Sequence, residues 1–84
     1  MQITMQEVDS SQIHSIGHDA ASQTLAIRFK SKAGAGSLYH YANFSAVEFE
    51  AFKAAESIGA HFGKFIKPEV TKYPFTKIEP ATAA

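Results

Sequence analysis

Apolar and polar residues alternate without a break in Thr24-Leu25-Ala26-Ile27-Arg28-Phe29-Lys30. Leu25, Ile27 and Phe29 fall on one side, and Thr24, Ala26, Arg28 and Lys30 on the other. This period of two predicts a strand with one buried face. Residues 13–18 (Ile13-His14-Ser15-Ile16-Gly17-His18) predict an earlier short strand with imperfect alternation, between the turn-like stretches 8–11 and 19–22. Residues 38–41 predict a third strand, with Tyr39 and Tyr41 on one face and Leu38 and His40 on the other. Between the second and third strands, residues 30–37 are small and flexible and predict a long hairpin loop. Gly34 and Gly36 open a strand there, whereas a phosphate loop ends in Gly-Lys-Ser/Thr and opens a helix.

The period then changes. Ser45 followed three residues later by Glu48 forms a capping box, and Phe44 with Phe49 forms a hydrophobic staple. Together they predict a helix over 46–55. Val47, Ala51, Phe52, Ala55, Ile58, Phe62 and Ile66 continue at helical spacing. Gly59 and Gly63 each cost about 1 kcal/mol inside a helix relative to alanine, so a break over 56–59 and a short second helix over 60–66 are expected. Ser57 caps that second helix, and Pro68 ends it. Residues 73–78 read as extended, with Phe75 and Ile78 packing back on the body. The predicted core is Leu25, Ile27, Phe29, Val47, Phe52, Ile58, Phe62 and Ile66.

The chain has 84 residues, room for one core. The expected organisation is a flexible lead-in over 1–7, one domain over 8–78 and a disordered tail over 79–84. Without cysteine, neither a disulfide nor a thiolate metal site nor a cysteine nucleophile can form. The formal net charge of zero weighs against a large phosphate-contacting surface, though not against a local patch. The start of the chain lacks the basic residues and apolar run of a signal peptide. No apolar stretch reaches the ~20 residues of a membrane span. The expectation is a cytoplasmic protein without a membrane partner.

These residues, in this order, resemble the KTSC domain family, which takes its name from the C-terminal segment of some lysyl-tRNA synthetases and includes small single-domain bacterial and phage proteins. The family's central Tyr-x-Tyr is matched by Tyr39-His40-Tyr41, and its Ser-Ser-x-Ile start by Ser10-Ser11-Gln12-Ile13. Its Ala-x-Ser-x-Gly segment, followed by an aromatic and an isoleucine, is matched by Ala55-Glu56-Ser57-Ile58-Gly59, Phe62 and Ile66. The similarity covers about three quarters of the chain, from Ser10 to Tyr73. His18 stands where an aromatic is common, Gly63 where an asparagine is common, and the 30–37 loop is longer than usual. By the synthetase connection, the resemblance implies an RNA or tRNA partner.

Tyr39 and Tyr41 are the first candidates for a site. On an exposed face they would be two stacking platforms for unpaired bases, with His40 between them and Arg28, Lys30, Lys32 and Lys64 as phosphate contacts. The alternative is a core role with the hydroxyls at the rim. His14, His18, His40 and His61 lack the convergent spacing of a zinc site. None of the serines sits in a nucleophile elbow. No catalytic residue, metal or cofactor is therefore assigned.

The expected fold is α+β, a three-stranded antiparallel β-meander followed by a capped α-helix and a short second helix packed on one face. The expected function is a non-catalytic binding module for single-stranded nucleic acid or tRNA. The alternative is an inhibitor or regulator, such as a phage-encoded one, acting on a host protein. Oligomeric state and strand order are left open by the sequence.

Overall fold

The structure is a computed structural model that describes residues 3–31, 34–69 and 71–79. Five antiparallel strands follow one another in space as they do in sequence: β1 (Gln6–Glu7), β2 (Ile13–Asp19), β3 (Thr24–Ser31), β4 (Gly34–Tyr41) and β5 (Phe75–Glu79). The expected α+β class holds, but the meander has five strands where three were expected. The two additional ones are edges. Gln6–Glu7, expected in a loose lead-in, pairs with Ser15 and Ile16. Phe75–Glu79 pairs with β4 after the chain has returned from the helices. The expected disordered tail otherwise lies outside the described residues, apart from Glu79, which closes β5.

The 30–37 segment is not the long loop expected. Both strands run on into it, to Ser31 and from Gly34, and a β-bulge accommodates the mismatch. Between the pairs Arg28↔Leu38 and Lys30↔Ala35, β3 has one residue, Phe29, and β4 has two, Gly36 and Ser37. The backbones approach so closely that a Cβ on Gly36 would lie 2.7 Å from the Phe29 carbonyl oxygen. Glycine is therefore the residue that permits the bulge.

A second bulge explains the broken alternation of β2. Ile13 pairs with Phe29 and Ser15 with Arg28, which leaves His14 as the extra residue. Ile13 and Ile16, three apart, are thereby both fully buried.

The helices cover one face of the sheet. α1 (Ala46–Lys53) begins with the predicted capping box: Ser45 Oγ accepts the Glu48 N–H at 3.2 Å, and Glu48 Oε1 accepts the Ser45 N–H at 3.0 Å. The His18 ring contacts both residues of the expected staple, stacked on Phe49 with centroids 5.1 Å apart and edge-on to Phe44 at 6.3 Å. α2 (Ile58–His61) is capped by Ser57, whose hydroxyl accepts the Ala60 N–H at 3.2 Å. It passes directly into a π-helical turn, Phe62–Ile66.

The core comprises Ile13, Ile16, Leu25, Ile27, Tyr41, Phe44, Phe52, Ile58, Phe62, Ile66 and Tyr73. Phe29 packs against it half-buried. Val47, expected inside, is 80% exposed. The His18 ring on Phe49 and the bonds of Glu48 orient α1 so that Glu48, Phe49 and Phe52 face inward, and Val47 is left on the outer side. The returning chain is fixed to the same helix. The Tyr73 hydroxyl donates to Glu48 Oε2, and Lys72 Nζ lies 3.5 Å from that oxygen. Burial alone would raise the Glu48 pKa; the bonds from Tyr73 and Ser45 and the Lys72 charge outweigh it, and the carboxyl titrates below its usual range.

Among the described residues, no helix is long and apolar enough to cross a membrane.

Candidate functional site

Register decides which way the Tyr-x-Tyr strand faces. Tyr41 pairs with Leu25 and Phe75, and Tyr39 with Ile27 and Lys77. Both tyrosines therefore lie on the face that carries the core, beneath the helical side. Tyr41 is 5% exposed and belongs to the core, while Tyr39 is half-buried. Of the two roles the sequence left open, the core one holds for Tyr41, and a cleft stands where an open stacking platform would be.

Five rings close on one another around this cleft. Phe29 meets Tyr39 at 5.7 Å between centroids, Tyr39 meets Phe75 at 5.8 Å, and Phe75 meets Tyr41 at 5.8 Å. Tyr41 meets Phe62 at 5.7 Å, and Phe62 returns to Phe29 at 5.3 Å. The contacts are edge-on or tilted, as the ring quadrupoles prefer. The cleft has a volume of about 560 Å³ and is completed by Lys30, Ser31, Gly36, Ser37 and Lys67. Four separate segments thus contribute: β3, β4 from its bulge to the Tyr-x-Tyr, the π-helical turn and β5.

The cleft is apolar inside, with Lys67 as its cation; Lys30 also lines it, but by strand alternation it falls with Arg28 toward the opposite face of the sheet. Phe75 is 51% exposed, so one ring of the five stands open to solvent. Burial, and secondarily the neighbouring Tyr39, pushes the Tyr41 phenol up to about 12. It remains a neutral hydroxyl at any physiological pH, able to donate a hydrogen bond.

The other residues assigned from sequence are dispersed. Lys30 lines the cleft. Arg28 pairs with Leu38 one position along from the Ile27–Tyr39 pair, and so lies on the opposite face of the sheet. Its Nη1 donates to the Gly36 carbonyl at 2.8 Å. His40 is also on that opposite face, between Ala26 and Thr76, where burial lowers its pKa. Lys64 is exposed on the π-helical turn, its ammonium 5.6 Å from the Phe65 centroid, and is not part of the cleft. Lys32 lies outside the described residues. Among those described, no group of three or more metal-ligating side chains forms.

Sequence reasoning missed Phe29, Phe62 and Phe75 as wall residues and Lys67 as the cation beside them. The alternation of β3 and the helical spacing marked the first two as core, which they partly are. Phe75 reaches the site only because β5 pairs with β4, and no local pattern announces that pairing.

The family motifs also converge. Ser10 Oγ accepts the N–H groups of Gln12 and Ile13, both at 3.2 Å, and so shapes the entry to β2. The same oxygen lies 3.2 Å from where a Cβ of Gly59 would be. The Ser-Ser-x-Ile start and the Ser-x-Gly segment are therefore packed on each other.

Comparison with known proteins agrees with this convergence. The chain is 33% identical over 66 residues to a protein of Stutzerimonas stutzeri, covering 79% of this chain and 87% of the relative. It is 39% identical over 64 residues to a protein of Tsukamurella paurometabola, covering 76% of this chain and 90% of the relative. The crystal structure of a KTSC domain protein from Yersinia pestis superposes with a TM-score of 0.77 at 31% identity, covering 92% of this chain and 99% of that one. The KTSC domain model matches residues 9–73, and the chain belongs to the KTSC domain family.

Proposed function

We propose that the protein is a non-catalytic binding module for single-stranded nucleic acid, and that the aromatic cleft is its site. The observation that carries this reading is the ring of five mutually contacting aromatic side chains with Lys67 among the lining residues. An unpaired base presents a flat π-face to such walls, and base–aromatic stacking contributes about 1–3 kcal/mol per base. The phosphate attached to that base would meet the charge of Lys67, a lining residue. With a net charge of zero, affinity rests on stacking, and phosphate contacts add a modest, salt-dependent part.

A second reading has its own support. β5 is an edge strand with Phe75 and Ile78 exposed, and an extended segment of a partner protein would add beside it as a sixth strand. This is the protein-partner alternative.

An amide-shift NMR titration with a short mixed-sequence single-stranded RNA separates the two. The expected result is shifts at Tyr39, Tyr41, Phe62, Phe75 and Lys67 that weaken between low and physiological salt. Absence of any shift at low salt would sink the nucleic-acid reading and turn attention to β5.

A further inference from the structure

We propose that the ligand of this cleft is a single nucleoside monophosphate unit, not a run of nucleotides, with the base against the aromatic walls and the phosphate on Lys67. This rests on the nucleic-acid reading above and narrows it.

Three observations carry it. The first is closure. A strand-binding groove is an open track with successive aromatic platforms and cations along its length. Here the five rings contact one another around a single space of about 560 Å³, within the range of small-molecule sites.

The second is where the cations are. Lys53 is 2.9 Å from Glu50, Lys72 is 3.5 Å from Glu48 and lies over the Tyr73 ring, and Lys64 lies over Phe65. None of these three lines the cleft, and neither does Lys77, which is exposed on the same face through its pairing with Tyr39.

The third is the π-helical turn. The Lys67 N–H donates to the Phe62 carbonyl five residues back, at 2.8 Å. In an α-helix, residues five apart are rotated by about 140° from each other. The wider turn brings Phe62 and Lys67 round to the same side, and both line the cleft. A wall ring and an anion contact are thereby placed together by one local irregularity, of a kind frequent at functional sites.

The chemistry recognised, a base carrying its own phosphate, occurs both in a free nucleotide and at the end of a strand. NMR titrations would compare adenosine 5′-monophosphate, adenosine, and one decamer RNA with and without a 5′-phosphate. Adenosine 5′-monophosphate is expected to shift the cleft residues and to bind roughly three- to tenfold more tightly than adenosine, the size of one charge contact. Lys67→Gln should remove that difference, whereas Lys64→Gln should retain it. Preference for the phosphorylated decamer would identify a strand end as the source, and binding of the mononucleotide alone would identify a free nucleotide. If both decamers bind equally, with shifts spreading beyond the cleft and none from the mononucleotide, the one-nucleotide proposal is overturned while the nucleic-acid reading stands. If no probe shifts any residue, both fail.

Discussion

Tyr41 shows how a single residue serves the core and the cleft at once. Its ring contacts Phe62 and Phe75, and burial holds its phenol at about 12, against 10.0 for a free tyrosine. The unfolded chain therefore gives up this proton first. Above pH 10 the unfolded state binds fewer protons than the native one, so stability falls as pH rises from about 10 towards 12. Tyr73 shifts in the same direction, through burial and its bond to Glu48. Thermal midpoints measured over this range should decline more gently in Tyr41→Phe than in the unmodified protein. The hydroxyl is lost while the ring and its packing remain. Equal slopes would show that Tyr41 ionises in the native state as easily as in the unfolded one.

At the scale of elements, α1 is the part whose existence was easiest to read and whose facing was not. Ser45 and Glu48 announce its start through local bonds that the structure contains. Helical spacing then assigned Val47 and Phe52 together to the inner face. In an eight-residue helix, however, the apolar positions define a stripe too broad to fix the rotation. Tertiary partners fix it instead: His18 against Phe49 and Tyr73 on Glu48. Val47→Lys should change unfolding free energy by no more than about 0.5 kcal/mol, as for ordinary surface positions. Phe52→Ala, which empties a fully buried site, should cost about 3–5 kcal/mol. Chemical denaturation of the two variants measures the contrast, and a large loss in Val47→Lys would place that side chain inside after all.

The strands divide in the same way. β3 was legible because a one-sided strand writes its burial as alternation. β2 was blurred because the bulge at His14 shifts the alternation by one residue. The extensions of β3 and β4 were hidden because the glycines that permit a bulge look the same in sequence as the glycines of a loop. β1 and β5 were missed because short edge strands bury little, and pairing with a neighbour far along the chain leaves no local signature.

At the scale of the whole molecule, the Tyr-x-Tyr motif lies on a strand that lines the cleft, but the motif does not say which way that strand faces. Its tyrosines face the helical side, and the rings that complete the site come from β3, the π-helical turn and β5. Lys67 enters through the π-helical turn, while Arg28 and His40 are turned to the far face by strand alternation. A cleft assembled from four segments is visible in sequence only piece by piece. The fold brings those pieces together by returning the chain from α1 and α2 along β4, with Tyr73 anchored to Glu48 just before β5 begins.

The central claim is that this cleft is where the protein binds its ligand, and Phe75 offers the most direct test. It is a wall of the cleft yet 51% exposed, so Phe75→Ala should leave the fold in place. Phe65 is similarly exposed, at 54%, and lies outside the cleft, which makes Phe65→Ala the matched control. Affinity for a short single-stranded RNA would be measured for the unmodified protein and both variants at one low salt concentration. The account predicts a loss of at least about fivefold in Phe75→Ala, the lower end of one base–aromatic stack, and little change in Phe65→Ala. Equal affinity in Phe75→Ala and the unmodified protein would contradict it.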